Sequence, residues 1–224
     1  MSQPKKSIWV FADYRNYFQN RVTLQLLAKA NDLATGMNAE VCAVVFGHET
    51  DEYVAEYIAH GAQKVLVVKH PSLNRYSVEK FTFLMEKLAG DQGPEIILIG
   101  ATSFGREFAP RVAKRLGTGL TADCIGLEMT SEGHLLQIAP SFGGNLIAEI
   151  ITPDHRPQMA TVRPGTFQEL PHDNTRCGDI VPIPLPKKIP PDRLRLVAYE
   201  RRTDRDQRLE EAKIVVCGGR GMGS

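Results

Sequence analysis

The sequence predicts an α/β fold, a mostly parallel, twisted sheet with helices on both faces, plus additional antiparallel strands. Two observations carry this expectation. From Ser7 to Leu116, short apolar runs alternate with segments whose apolar residues recur at helical spacing, the form taken by repeated βα units around a parallel sheet. From Ala122 onward the pattern changes to shorter strand-like runs punctuated by Gly133, Gly143, Gly144 and Pro153, as in a hairpin-like meander added to the parallel sheet.

Taken in order, Ile8 to Phe11 forms the first strand. Val22, Leu26, Ala30 and Leu33 then share one helix face, and Gly36 is expected to stop that helix. Glu40 to Phe46 is a second buried strand, followed by a helix whose apolar side holds Tyr53, Val54, Tyr57 and Ile58. Gly61 suits the left-handed residue that ends it. Lys64 to Val68 is the third strand. Val78, Phe81, Met85 and Leu88 mark the third helix, closed by Gly90 and Gly93, and Glu95 to Ile99 is the fourth strand. After Gly100 the chain turns through Ala101-Thr102-Ser103-Phe104-Gly105 into a helix bearing Phe108, Val112 and Leu116.

The later strands are expected at Asp123 to Met129, Leu135 to Pro140, Leu146 to Ile151 and Gln158 to Val162. Five prolines between Val181 and Pro191 argue against regular structure there. The expected organisation is an α/β domain over 1–190, a crossing linker over 191–211, and over 212–224 the first strand and glycine-rich turn of a further domain. A lone strand cannot bury its edges, so more chain is expected to follow. Lys187 to Arg208 holds eight basic and four acidic side chains, either a solvated linker or a basic face for an acidic partner.

Composition narrows the function classes. Twenty-seven basic against 26 acidic residues give a net charge of +1, so no whole-chain field draws in nucleic acid or a membrane surface. No apolar run approaches the roughly 20 residues that span a bilayer. The apolar stretch after Lys5 and Lys6 is too short for a secretory signal, so a cytoplasmic protein is expected. Cys42, Cys124, Cys177 and Cys217 are far apart in sequence and show no metal-ligand spacing, and the six histidines are scattered with no catalytic pattern.

The turn after the fourth strand is the most informative local feature. Thr102 and Ser103 can present hydroxyls and backbone N–H groups at a helix N-terminus, where the dipole favours an anion, and Arg106 adds a fixed positive charge. In a parallel sheet, ligands collect beyond the carboxyl ends of the strands, where this turn lies. The plainer reading is that Thr102 and Ser103 simply cap the helix. Arg163 precedes Pro164, which biases it to an extended backbone at a strand end. Pairing with Glu149 or Asp154 is its alternative role. Ala101-Thr102-Ser103-Phe104-Gly105 also has the outline of a hydrolase nucleophile elbow, with Asp123, or Asp154 beside His155, as remote acid and base.

The stretch from Gly100 to Leu116, followed by Gly119-Leu120-Thr121-Ala122-Asp123, resembles the signature region of electron-transfer flavoprotein alpha subunits. Phe142-Gly143-Gly144-Asn145, Met159 to Gly165, and Val215 to Gly221 match the same family in order and spacing. The resemblance implies a first domain similar to nucleotide alpha-hydrolase-type folds. It also implies a heterodimer with a beta subunit, and a second domain whose FAD carries electrons between acyl-CoA-type or other dehydrogenases and further redox partners. Such a chain is an electron carrier rather than a catalyst by itself. By resemblance, Gly218, Gly219, Arg220 and Gly221 belong to the FAD site. Thr102, Ser103, Arg106 and Arg163 are expected to border the beta subunit and the nucleotide it holds, AMP or, in electron-bifurcating members, a second FAD. A stand-alone adenine-nucleotide-binding module is the alternative implied by the fold, with Gly100 to Gly105 as a poor phosphate loop.

Overall fold

The computed structural model describes residues 6–14, 17–194, 197–198, 212 and 214–223. The first five residues and most of the expected crossing segment, 199–211 with 195 and 196, lie outside the described residues. The chain divides into two units, Met1–Asp192 and Arg193–Ser224.

The first unit is built on β1 (Ser7–Phe11), α1 (Tyr17–Met37), β2 (Glu40–Gly47), α2 (Asp51–Ala59), β3 (Lys64–Lys69), α3 (Val78–Gln92), β4 (Ile96–Gly100) and α4 (Ser103–Leu116). There follow β5 (Leu120–Cys124), β6 (Gly126–Met129), β7 (Leu135–Ser141), β8 (Leu146–Ile150), β9 (Gln158–Val162) and β10 (Asp179–Pro182). Seven strands form one sheet in the order β10-β3-β2-β1-β4-β9-β5, every neighbouring pair parallel. Three strands form a second, antiparallel sheet, β6-β7-β8.

The period-2 geometry of the strands sorts their residues into two cores. Ile8, Val10, Val41, Ala43, Val65, Ile96 and Leu98 face α1 and α2, where Leu26, Leu27, Ala30 and Tyr57 cover them. Trp9, Phe11, Val44, Phe46, Leu66, Ile97 and Ile99 face α3 and α4 and meet a cluster of rings. Phe11 lies 4.6 Å from Phe108 and 5.6 Å from Phe104, between ring centroids. Strands covered on both faces must be apolar throughout, and the central strands are.

Several expectations are corrected. The single strand expected from Asp123 to Met129 is two, β5 in the main sheet and β6 in the second, parted at Ile125. Gln158–Val162 is not part of the meander. It is fully buried and inserts between β4 and β5 as a parallel strand of the main sheet. Its five residues, Gln158-Met159-Ala160-Thr161-Val162, are equally compatible with either sheet, and only long-range pairing decides. Asp179–Pro182 forms an edge strand on β3 despite its proline. Ile183 N–H bonds to Val67 O, so Pro182, next in line, turns its missing donor away from the ladder, where an edge strand tolerates it. Gly36 does not stop α1, which runs to Met37 and ends beside Asn38 at φ 50°, asparagine being one of the residues that accepts the left-handed region.

Gly61 does occupy the left-handed position after α2, at φ 97°. Gly90 stays inside α3, while Gly93 at φ 60° ends it, its N–H reaching Ala89 O. The second unit forms a short 3-10 turn, Arg220–Met222. The expected strand from Ala212 to Cys217 is not formed among the described residues, and Ile214 and Val216 are 85% and 94% exposed. A strand needs a partner to hydrogen-bond, and within this unit none is present among the described residues. No described helix is long and apolar enough to cross a membrane.

Candidate functional site

The strand order reverses at β1, with β2 on one side and β4 on the other, and the carboxyl ends of β1 and β4 therefore bound the crevice where open α/β sheets receive ligands. Two polar side chains close this crevice from below. Thr102 Oγ1 donates a 2.7 Å hydrogen bond to Asp13 Oδ2 and accepts 3.0 Å from Gly105 N–H, so one hydroxyl caps α4 and ties it to the end of β1. Asp13, 1% exposed, also donates its backbone N–H to Thr23 Oγ1 at 3.0 Å.

The glycines of this turn serve packing. A Cβ at Gly105 would lie 1.8 Å from Gly100 O, so only glycine lets the first turn of α4 rest on the end of β4. That close approach, with the Thr102 hydroxyl committed to Asp13, makes the turn a poor phosphate loop. Ser103 opens the helix and is exposed. The elbow reading loses its acid at Asp123, which is committed elsewhere.

That commitment forms the second feature. Asp123 lies in β5 at φ 57°, where the pairing with β9 shifts register, and its N–H bonds to Thr161 Oγ1 at 2.9 Å. The distortion turns its carboxylate onto two guanidinium groups. Arg163 Nη2 donates to Asp123 Oδ2 at 2.7 Å, and Arg106 Nη2 lies 3.8 Å from Oδ1. The hydrogen bond that Arg163 donates to Asp123, then the charge of that carboxylate, holds the exposed guanidinium even more firmly protonated. Arg163 thus pairs with Asp123, not with Glu149 or Asp154, the partners of its alternative role. Two cations share one anion, leaving one net positive charge beyond the carboxyl ends of β4, β9 and β5.

Of the residues singled out in sequence, Thr102, Ser103 and Arg106 share the first turn of α4, and Asp123 brings Arg163 to Arg106. Gly218, Gly219, Arg220 and Gly221 lie in the second unit, all exposed. A Cβ at Gly219 or Gly221 would meet nothing within 4 Å, so the backbone there stays open to a ligand, whereas Gly218 is close to Met222 Sδ.

Sequence reasoning passed over Asp13 and Asp123 as polar partners, and over the apolar tip of the antiparallel sheet. Phe142 is 81% exposed, Leu146 58% and Ile147 64%, around a turn in which Phe142, Gly143 and Gly144 all have positive φ. The signal was present in the run Leu146-Ile147-Ala148-Glu149-Ile150, whose apolar residues occupy both faces of the strand, where a meander at the surface would alternate.

Residues 8–188 match the model of the electron transfer flavoprotein domain. The chain is 42% identical over 218 residues to the electron transfer flavoprotein subunit alpha of Thermoanaerobacterium thermosaccharolyticum, covering 97% of this chain and 66% of that one. It is 41% identical to the subunit of the same name from Clostridium acetobutylicum, covering 98% and 66%. Against the lactate dehydrogenase (NAD(+),ferredoxin) subunit LctC of Acetobacterium woodii it is 35% identical, covering 97% and 52%. The chain therefore spans about two thirds of the length of the first two relatives and about half of the third. A family match over residues 8–188, together with these identities across nearly the whole chain, places this chain in the electron transfer flavoprotein family.

Proposed function

We propose that this chain acts as an electron transfer flavoprotein alpha subunit, its first unit docking a beta subunit and its second leading into the part that holds FAD. The names of the relatives support the activity. The observation that carries the docking role is the β7–β8 hairpin. β7 buries Leu135, Gln137 and Ala139, whereas β8 is the edge of its sheet and exposes Leu146, Ile147 and Ile150 beside Phe142. An apolar edge strand with unpaired backbone groups favours a covering partner and is a template for an added strand. In this reading the beta subunit covers it.

The Arg106–Asp123–Arg163 group then borders the nucleotide held by the beta subunit, AMP or a second FAD, with Ser103 beside it and Thr102 fixing the turn from below. Their net positive charge suits a phosphate or a reduced, anionic flavin. For the FAD of the alpha subunit, the open backbone at Gly219 and Gly221 fits close cofactor approach, and Arg220 supplies a charge at the same turn. FAD, when bound, supplies one- and two-electron chemistry between a dehydrogenase, of the acyl-CoA type or another, and a further acceptor. The absence of any whole-chain charge field is consistent with a protein partner rather than nucleic acid.

Co-expression with a beta subunit of the family tests this reading. A stable one-to-one complex on size exclusion with light scattering supports it, and separate elution of the two chains at micromolar concentration removes it.

A further inference from the structure

After β10 the chain does not leave the first unit at once. Ile183 N–H bonds to Val67 O, and Ile183 and Leu185 pack half-buried against the core on the α3 and α4 side. Pro184 and Pro186 hold the backbone extended between these contacts, and Ile189 and Pro190 are half-buried further on. Residues 183–192 therefore form a strap that ends at the start of α3, at the last residue of the first unit. There Asp192 Oδ2 accepts a 2.5 Å hydrogen bond from Lys80 Nζ.

Two observations set this contact apart from an ordinary surface ion pair. The first is the place of Lys80. It is the third residue of α3, where the helix dipole disfavours a cation, and its side chain is only 11% exposed, where an ammonium loses hydration. Neither the helix nor the solvent favours lysine at this position, and the Asp192 carboxylate offsets both costs.

The second is how the carboxylate is received. Ser77 caps α3, its Oγ accepting from Lys80 N–H at 3.4 Å, and its hydroxyl donates to Asp192. An anion at a helix N-terminus is favoured where the buried cation is not. One carboxylate thus meets a hydroxyl, an ammonium and the positive end of a helix, whereas residues 184–191 make no hydrogen bond among the described residues.

We propose that Lys80 and Asp192 form a latch that closes the strap and fixes, at the start of α3, the point from which the chain leaves the first unit. With the latch open, the strap peels back to Ile183 and residues 184–192 join the free tether, about 30 Å of extended chain. Tether length sets the effective concentration of whatever the tether carries, so opening and closing the latch sets the reach of the chain that follows. The proposal does not depend on the electron-transfer reading.

Limited trypsin digestion of the native chain, followed by mass spectrometry, tests it, because cutting of a held segment follows the population of its opened form. Cleavage after Lys187 and Lys188, inside the strap, should be roughly threefold to fivefold faster in Lys80→Met and in Asp192→Asn, the range for a half-exposed ion pair. Cleavage within α4, after Arg111, should stay as slow as in the wild type, which separates release of the strap from unfolding of the unit. The charge-reversed pair Lys80→Glu/Asp192→Lys should bring the rate in the strap back towards wild type. Unchanged strap cleavage in both single variants, or a charge-reversed pair cut as fast as they are, would overturn the proposal. So would a rise after Arg111 in step with the rise after Lys188, since the pair would then only stabilise the fold.

Discussion

Thr102 Oγ1 donates to Asp13 Oδ2 at 2.7 Å, so a single hydroxyl joins the ends of β1 and β4 across the crevice and caps α4 at the same time. Replacing it removes both bonds without changing side-chain shape. Thr102→Val should cost about 1–3 kcal/mol of unfolding free energy, and Thr102→Ser should recover most of it. Urea unfolding of the three proteins measures the difference.

Gly105→Ala should be at least as damaging. The added methyl would meet Gly100 O, a backbone atom that cannot swing aside, so α4 must lift from β4. A loss of about 2 kcal/mol or more is expected from such overpacking, read as a lower midpoint at unchanged slope in the same unfolding measurement.

The cysteines should fall into two classes. Cys42 and Cys124 are buried, and burial, then the charge of Asp123, pushes the Cys124 thiol up to about 12. Cys177 and Cys217 are exposed. A thiol reagent at pH 8 should therefore modify two cysteines of the native chain, and mass spectrometry of the labelled peptides should find them at Cys177 and Cys217. All four should react in denaturant.

Asp192 gives a pH dependence. The hydrogen bond from Lys80 at 2.5 Å, then one from Ser77, holds its carboxyl below the usual aspartate value. A lowered folded pKa means stability that is present above the unfolded value of about 3.9 and is lost as pH falls through the lower, folded value. Because Asp192 is 43% exposed, the contribution is screened to below about 1 kcal/mol. Asp192→Asn should therefore lower stability slightly at pH 7 and flatten the acid limb of the profile, as urea midpoints between pH 7 and pH 2.5 would show.

The legibility of the fold follows the range of the forces that set it. The βα units up to α4 were readable because each strand and helix carries its own apolar period, and Gly61, Gly93 and the Thr102 turn mark ends through local backbone geometry. β9 was visible as a strand but not as a member of the main sheet, since its position between β4 and β5 depends on pairing partners some 40 to 60 residues earlier in the chain. Pro182 misled for a similar reason, because a proline is excluded from a strand only where its nitrogen faces a neighbour. At the site, the capping role of Thr102 could be read from its place before a helix. The Asp13 and Asp123 contacts could not, because they join residues 89 and 40 positions apart.

Docking of the beta subunit on the β7–β8 hairpin can be read from the dissociation constant of that complex for the wild-type chain and for Phe142→Asp/Ile147→Asp. Both side chains are exposed in the chain alone, so the variant should keep its unfolding midpoint. Binding should weaken roughly 30-fold or more, as expected when two apolar anchors of an interface are replaced by charge. An unchanged dissociation constant in a folded variant would contradict it.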